Sequence, residues 1–239
     1  MKKSLYTLVT LTVFNFSINA QESNYPDLKP VKQTIIKLGL KGGINFSTFT
    51  ESESKLKTGF HIGGLMEIFV NDKFSIQPEL MYSTQGAKAS MSDYDDWGTE
   101  RVDYVYKAEM KTNYINVPIM VKYYFREGFN LQIGPQVGFL VNSKLNFFEG
   151  IYSSTGEKKT TDITADLKKF VNPIDFGLNI GLGYELPRGL FFDARYNIGL
   201  TRMNKKGGYY YDEMNDFELE DAGGSSMNRV FQVSVGYKF

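Results

Sequence analysis

From residue 37 to the last residue, apolar side chains recur at every second position in eight separate stretches. A period of two is the repeat of a β-strand, whose successive side chains point to opposite faces, and it excludes an amphipathic helix with its period of 3.6. The stretches lie near 37–48, 57–70, 73–85, 111–125, 129–143, 173–186, 189–203 and 228–239. In the fourth, Ile115, Val117, Ile119, Val121, Tyr123 and Phe125 share one parity; in the seventh, Leu190, Phe192, Ala194, Tyr196, Ile198 and Leu200 do. Between the first and last apolar residue of each band, no position on the apolar parity is charged, although 23% of the chain is. The other parity holds amides, charges of both signs and many glycines, among them Gly39, Gly43, Gly63, Gly134, Gly138, Gly181 and Gly183. A soluble sandwich turns its polar face to water. A face half made of glycine and amide suits the narrow, filled interior of a small barrel whose other face meets lipid.

The connections sharpen this. Asn71-Asp72-Lys73, Arg126-Glu127-Gly128 and Pro187-Arg188-Gly189 are tight hairpin turns, whereas 49–56, 86–110, 144–172 and 204–227 are longer. Short and long alternate strictly, as periplasmic turns and extracellular loops do in an outer-membrane barrel with both termini on the periplasmic side. The apolar bands from Phe129 to Phe139 and from Leu190 to Leu200, at ~3.3 Å per residue and a ~40° tilt, span roughly 25 Å, the height of a lipid-facing belt. Aromatic residues flank both borders: Phe74, Phe125, Phe129, Tyr184, Phe192 and Tyr237 beside the short turns, and Phe46, Phe60, Tyr82, Phe139, Phe176 and Phe231 beside the long connections. The fold expected is all-β, a closed antiparallel up-and-down transmembrane barrel of about eight strands. Pro78, Pro118 and Pro135 fall inside strands, where a missing N–H interrupts the ladder, so bulges are expected there.

The N-terminus reads as a secretory signal peptide over 1–20: Lys2 and Lys3, an apolar run from Leu5 to Phe16, and the small-residue site Ser17-Ile18-Asn19-Ala20. Residues 21–36 form a polar periplasmic segment and 37–239 the barrel domain. Acidic and basic residues balance at 27 each, which gives no field for nucleic acid, and the absence of cysteine rules out disulfides, thiolate metal sites and a cysteine nucleophile. No cofactor and no metal is expected.

The chain ends Phe231-Gln232-Val233-Ser234-Val235-Gly236-Tyr237-Lys238-Phe239. This alternation closing on an aromatic residue resembles the signal read by the outer-membrane insertion machinery, with Phe239 as its last element. Gly42-Gly43-Ile44-Asn45, Gln77-Pro78-Glu79-Leu80-Met81-Tyr82-Ser83, Tyr114-Ile115-Asn116-Val117-Pro118-Ile119, Gly134-Pro135-Gln136-Val137-Gly138-Phe139-Leu140 and Ala194-Arg195-Tyr196-Asn197-Ile198-Gly199-Leu200 are similar to the porin-family outer-membrane β-barrel domain of Bacteroidota, often called PorT-like. The prolines are part of that pattern. The resemblance implies fold and an outer-membrane location, with little about activity; one branch of the family supports secretion and gliding.

Three groups of residues are candidates for function. Lys41, Lys122, Arg195 and Lys238 against Glu67, Glu79, Asp175, Glu185 and Asp193 are inward charges, read as a plug of salt bridges, since eight strands leave an interior just wide enough for side chains. His61, the one histidine, is expected to face inward near the long-loop end, where Ser47, Ser83 or Glu79 would be neighbours; a catalytic role is weighed against a lumen hydrogen-bond role, and the latter is preferred. The long loops carry Asp93-Tyr94-Asp95-Asp96-Trp97, Tyr104-Val105-Tyr106 and Tyr209-Tyr210-Tyr211-Asp212-Glu213, of which Asp95, Trp97, Tyr210 and Asp212 are candidates for an extracellular ligand; the spacing matches no calcium loop. Asp162 to Phe170 is expected to form a short helix. The functional expectation is a non-enzymatic envelope or surface-interaction barrel, with a small diffusion porin, a secretion-associated barrel, a lipid-modifying enzyme and a soluble lipocalin-like barrel as alternatives.

Overall fold

The computed structural model describes residues 35–50, 54–96, 101–156, 158–205, 210–212, 217–219 and 226–239. The expected signal peptide at 1–20 and nearly all of the expected 21–36 segment lie outside them, as does Trp97. The strands are β1 (Ile36–Phe49), β2 (Lys55–Phe69), β3 (Phe74–Asp96), β4 (Arg101–Arg126), β5 (Phe129–Ser153), β6 (Lys158–Asp166), β7 (Ile174–Glu185), β8 (Leu190–Gly199), β9 (Tyr210–Asp212), β10 (Phe217–Leu219) and β11 (Asn228–Lys238). All pairings are antiparallel. Eight strands close a ring in the order β1-β2-β3-β4-β5-β7-β8-β11 and back to β1, sealed by the ladder from Gly39↔Lys238 to Phe49↔Asn228. Closure leaves the barrel wall without an edge.

Parity divides the wall as the sequence demands. Val121 and Tyr196 are each 43% exposed on the outside, while their chain neighbours Lys122 and Arg195 are 1% and 2% exposed within. The outer belt is apolar, with Leu40, Ile62, Leu80, Leu131, Ile133, Ile180, Leu182 and Val235 all exposed. Aromatic pairs mark its borders: Phe129 against Tyr184 (4.4 Å between centroids) and Phe74 against Tyr123 (5.0 Å) at the short-turn end, Phe60 against Tyr82 (6.0 Å) and Phe46 against Phe231 (6.4 Å) at the other. The turns are held locally. Asn71 Oδ1 accepts from the backbone N–H of Lys73 and Phe74, and Gly128 (φ 74°) and Gly189 (φ 87°) take the left-handed conformation that tight reversal needs.

The prolines do not produce the expected bulges. Pro78↔Ile119, Pro118↔Gln136 and Pro135↔Leu178 keep the register of their ladders. A slip would turn every side chain beyond it to the wrong medium, so the sheet forgoes individual hydrogen bonds instead. The register shifts lie elsewhere, between Leu56 and His61, between Asn113 and Tyr114, and between Tyr124 and Arg126.

The long connections are less loop-like than expected. β3 and β4 continue as one ladder to Asp96↔Arg101, which places Asp93, Asp95, Tyr104 and Tyr106 in strands. β5 pairs with β7 as far as Phe139↔Ile174 and then exchanges that neighbour for β6 from Lys144↔Asp166 to Tyr152↔Lys158. The helix expected at Asp162–Phe170 is absent: Asp162–Asp166 belong to β6 and Lys168–Phe170 to a turn, because the Thr-rich segment finds an open strand edge to pair with. A four-stranded sheet of β3, β4, β5 and β6 thus rises from one end of the barrel.

Candidate functional site

The lumen is layered. Nearest the short turns, Glu185 receives Lys37 Nζ (2.9 Å) and Lys238 Nζ (2.5 Å), and Lys238 also reaches Glu67 Oε2. Glu67 further accepts from the Tyr124 hydroxyl (2.6 Å) and the Ser75 hydroxyl (2.5 Å), with Lys122 Nζ at 3.5 Å. Lys122 donates to Gln77 Oε1 (3.2 Å), whose amide donates to Glu79 Oε1 (2.6 Å). Arg195 grips Glu79 through two nitrogens and contacts Asp193 (3.2 Å), while Lys41 Nζ lies 2.8 Å from Glu79 and 3.7 Å from Asp193. Gln132 closes the set, accepting from Arg195 Nε and donating to Asp193 Oδ1. Lys41, Lys122, Arg195 and Lys238 thus meet Glu67, Glu79, Glu185 and Asp193, four against four, in one chain across the barrel, with the part-exposed Lys37 at its rim. Burying such charges is costly unless each is paired and hydrogen-bonded, which these are. Asp175 stands apart. It accepts from the Thr201 hydroxyl (2.6 Å) and Asn228 Nδ2 (3.0 Å), and its ion pair with the other lumen charges is absent among the described residues.

Above this plug sits His61, 2% exposed. Its Nδ1 lies 2.7 Å from Asn45 Oδ1 and its Nε2 2.8 Å from Ser234 Oγ. Asn45 Nδ2 donates to Phe60 O, Thr84 O and Ser83 Oγ, which fixes the amide orientation. Nδ1 therefore carries the proton, and Nε2 accepts from the Ser234 hydroxyl. The expected neighbours Ser47 and Glu79 make no hydrogen bond to the imidazole, and Ser83 is linked only through Asn45. Gly43 pairs with His61 on one side and with Ser234 on the other, and a Cβ there would lie 2.8 Å from His61 Cε1. The missing side chain is what lets the ring reach Ser234. A serine, a histidine and an orienting amide are so aligned, and all three are buried within the wall's polar filling.

At the long-connection end the filling changes character. Ala165, Leu167, Val171 and Met203 form a buried apolar cluster against Phe49, Met110, Leu140, Leu145 and Phe170. A backbone bond from Asn172 N–H to Met203 O (2.7 Å) ties the segment after β6 to the one after β8. Thr112 Oγ1 and Ser143 Oγ, opposed on β4 and β5, are buried without a hydrogen-bond partner among the described residues. The sequence reading missed this cap because Ala165, Leu167 and Val171 lie in a stretch read as a loop. It also missed Leu65, Met81, Met120 and Phe191, apolar residues buried on the inner parity. Phe191 fits because Gly236 faces it, where a Cβ would stand 2.3 Å from its ring, and Lys238 Nζ lies over that ring at 4.9 Å.

The model of the family described as "Outer membrane protein beta-barrel domain" matches residues 19–204. The chain belongs to that family. As such a barrel it resides in the outer membrane, its belt embedded in lipid. A comparison with curated proteins finds no match. Among solved structures, the chain is similar to Neisserial surface protein A (11% identity, 85% of this chain, 97% of that one, TM-score 0.41). It is also similar to Ail, the attachment invasion locus protein of Yersinia pestis (14%, 85% and 98%, TM-score 0.37), and to Acinetobacter baumannii CarO (12%, 83% and 97%, TM-score 0.36).

Of the loop candidates in this outer-membrane barrel, Asp95 stands exposed on the β3 extension opposite Val102. Tyr210 and Asp212 belong to the separate β9–β10 hairpin, paired with Leu219 and Phe217. Groups of three or more acidic or histidine side chains able to hold a metal ion are absent among the described residues.

Proposed function

We propose that this is a closed, non-enzymatic barrel that acts at the cell surface through its extracellular sheet, in an envelope or surface-interaction role, as a PorT-like member of the family in Bacteroidota. The observation that supports this reading most is the lumen itself, filled by an interlocked network and roofed by the Ala165–Leu167–Val171–Met203 cluster. A small diffusion porin needs a continuous aqueous path, and an enzyme needs access to Ser234 and His61; neither fits side chains that are 3% and 2% exposed. A secretion-associated role draws support from no described feature. Assembly through recognition of the last strand and its terminal Phe239 by the insertion machinery belongs to the same proposal, supported by the alternation of β11.

Planar-bilayer recording of the purified barrel tests the reading. The expected trace is silent at moderate voltage. Reproducible open steps of constant size would overturn it in favour of the porin.

A further inference from the structure

The outward face of β3–β6 just above the lipid belt is basic. On β4, the outward parity runs from Ile115 in the belt through Asn113 to Lys111, Glu109 and Lys107. Across the ladders, Lys111 is directly opposite Lys144, and Lys55 is directly opposite Lys88. Like charges in directly opposed positions repel, so a fold that carries two such pairs side by side is waiting for an anion. Glu109, opposite Lys88 and 3.6 Å from Lys111, offsets part of this charge, as do Asp162 and Asp166 on β6. Lys55, Lys88, Lys107 and Lys144 make no ion pair among the described residues: Lys55 donates to Ser90 (2.5 Å), and Lys107 lies over the Phe148 ring at 5.5 Å. Lys55, Lys88 and Lys107 border a shallow depression of about 550 Å³ that Asn146 and Thr164 also line, while Lys111 and Lys144 lie outside its lining.

Height decides what reaches this site. Lys111 stands about 10 Å above Ile115, at ~3.3 Å per strand residue and a ~40° tilt. The head-group region of a leaflet is roughly 5–8 Å deep, and a lysine stem can bend down toward it. Lys111 and Lys144 therefore meet the phosphate level of an outer-leaflet lipid whose chains lie on Tyr82, Ile115, Phe139 and Val141. Lys88, Lys55 and Lys107 stand higher, where only a tall, sugar-bearing head group extends.

We propose that this face is a binding site for a phosphorylated glycolipid of the outer leaflet, with Lys111 and Lys144 on its phosphate and Lys55, Lys88 and Lys107 along the head group. The site lies on the outer wall, so it stands or falls apart from whether the lumen is closed.

The test titrates full-length protein in octyl glucoside with bisphosphorylated lipid A and with the same lipid after enzymatic dephosphorylation. The phosphorylated form is expected to bind at least tenfold more tightly. A Lys88→Gln/Lys111→Gln/Lys144→Gln variant should lose at least tenfold for the phosphorylated form and little for the other. A Lys158→Gln/Lys159→Gln variant should bind as the parent does. These side chains are exposed, and retained heat-modifiable gel mobility verifies the fold; Lys144→Gln alone should shift binding in the same direction if the triple variant fails that check. Equal binding of the two lipids, or an unchanged triple variant, would overturn the proposal. So would displacement of lipid A by an equal concentration of a soluble sulfated oligosaccharide, which would make the site a receptor for free polyanions.

Discussion

Arg195 on β8 holds Glu79 on β3 through two nitrogens, Nη2 to Oε1 at 2.8 Å and Nη1 to Oε2 at 3.0 Å, across the full width of the barrel. The two residues are far apart in the chain and on strands that are not neighbours in the wall. Their contact ties opposite sides of the ring together, and Lys41, Asp193 and Gln132 brace it.

Removing one member should therefore cost more than removing both. Glu79→Gln or Arg195→Met leaves a buried charge short of its partner, which costs on the order of 3–5 kcal/mol. The Glu79→Gln/Arg195→Met double variant should lose clearly less than the sum of the two, since these groups share one network. Urea titration of the refolded barrel in lipid vesicles, followed by gel mobility, measures all three.

Insertion depth gives a second expectation. Ile133 and Ile180 are paired near the middle of the belt. Ile133→Arg should destabilise by about 2–4 kcal/mol, whereas Thr48→Arg, at the extracellular border, should cost about 0–1 kcal/mol. A cost independent of position would contradict the placement of the belt.

His61 and Ser234 should behave as structure. His61→Ala leaves Asn45 Oδ1 and the Ser234 hydroxyl short of a buried partner and should cost roughly 1–3 kcal/mol. Gly43→Ala should be worse than that, because its Cβ would meet Val233 O at 1.9 Å as well as the imidazole. An alkyl fluorophosphonate probe should leave Ser234 unlabelled in the folded barrel; stoichiometric labelling would restore the enzyme reading.

The chain end separates folding from delivery. Phe239 is 75% exposed, its ring lies edge-on to Tyr237 at 5.4 Å, and it joins the ladder through one backbone bond, N–H to Leu38 O (2.8 Å), so its ring contributes little to the wall. Deleting it should leave refolding into vesicles near the parent yield while sharply lowering the amount found in the outer membrane of cells. Equal losses in both assays would assign Phe239 a packing role instead.

The barrel wall was legible because two media, hydrocarbon outside and a polar lumen inside, impose opposite demands on adjacent residues such as Val121 and Lys122. Beyond the membrane border that rule lapses. Tyr106-Lys107-Ala108-Glu109-Met110 still alternates, but with charges on the outward parity, the reverse of the belt's pattern, and so resembles a loop. The neighbours of His61 were hidden for another reason. Ser234 lies on the inward parity of the last stretch, yet only the register across Gly43 brings it beside the imidazole, and alternation fixes parity without fixing register. The apolar cap was invisible because Leu167 and Val171 follow β6 while Met203 follows β8, and only the fold joins the two segments.

β5 carries one further implication. Its Phe129–Phe139 portion is gripped by lipid and barrel neighbours, and its Lys144–Tyr152 portion by β6. One unbroken strand thus serves two environments, with β4 beside it from Arg126 to Val102. Whatever docks on the outer portion meets a stiff mast rather than a swinging arm, so contact there gains little from adaptation and depends on the spacing of side chains already set by the ladder.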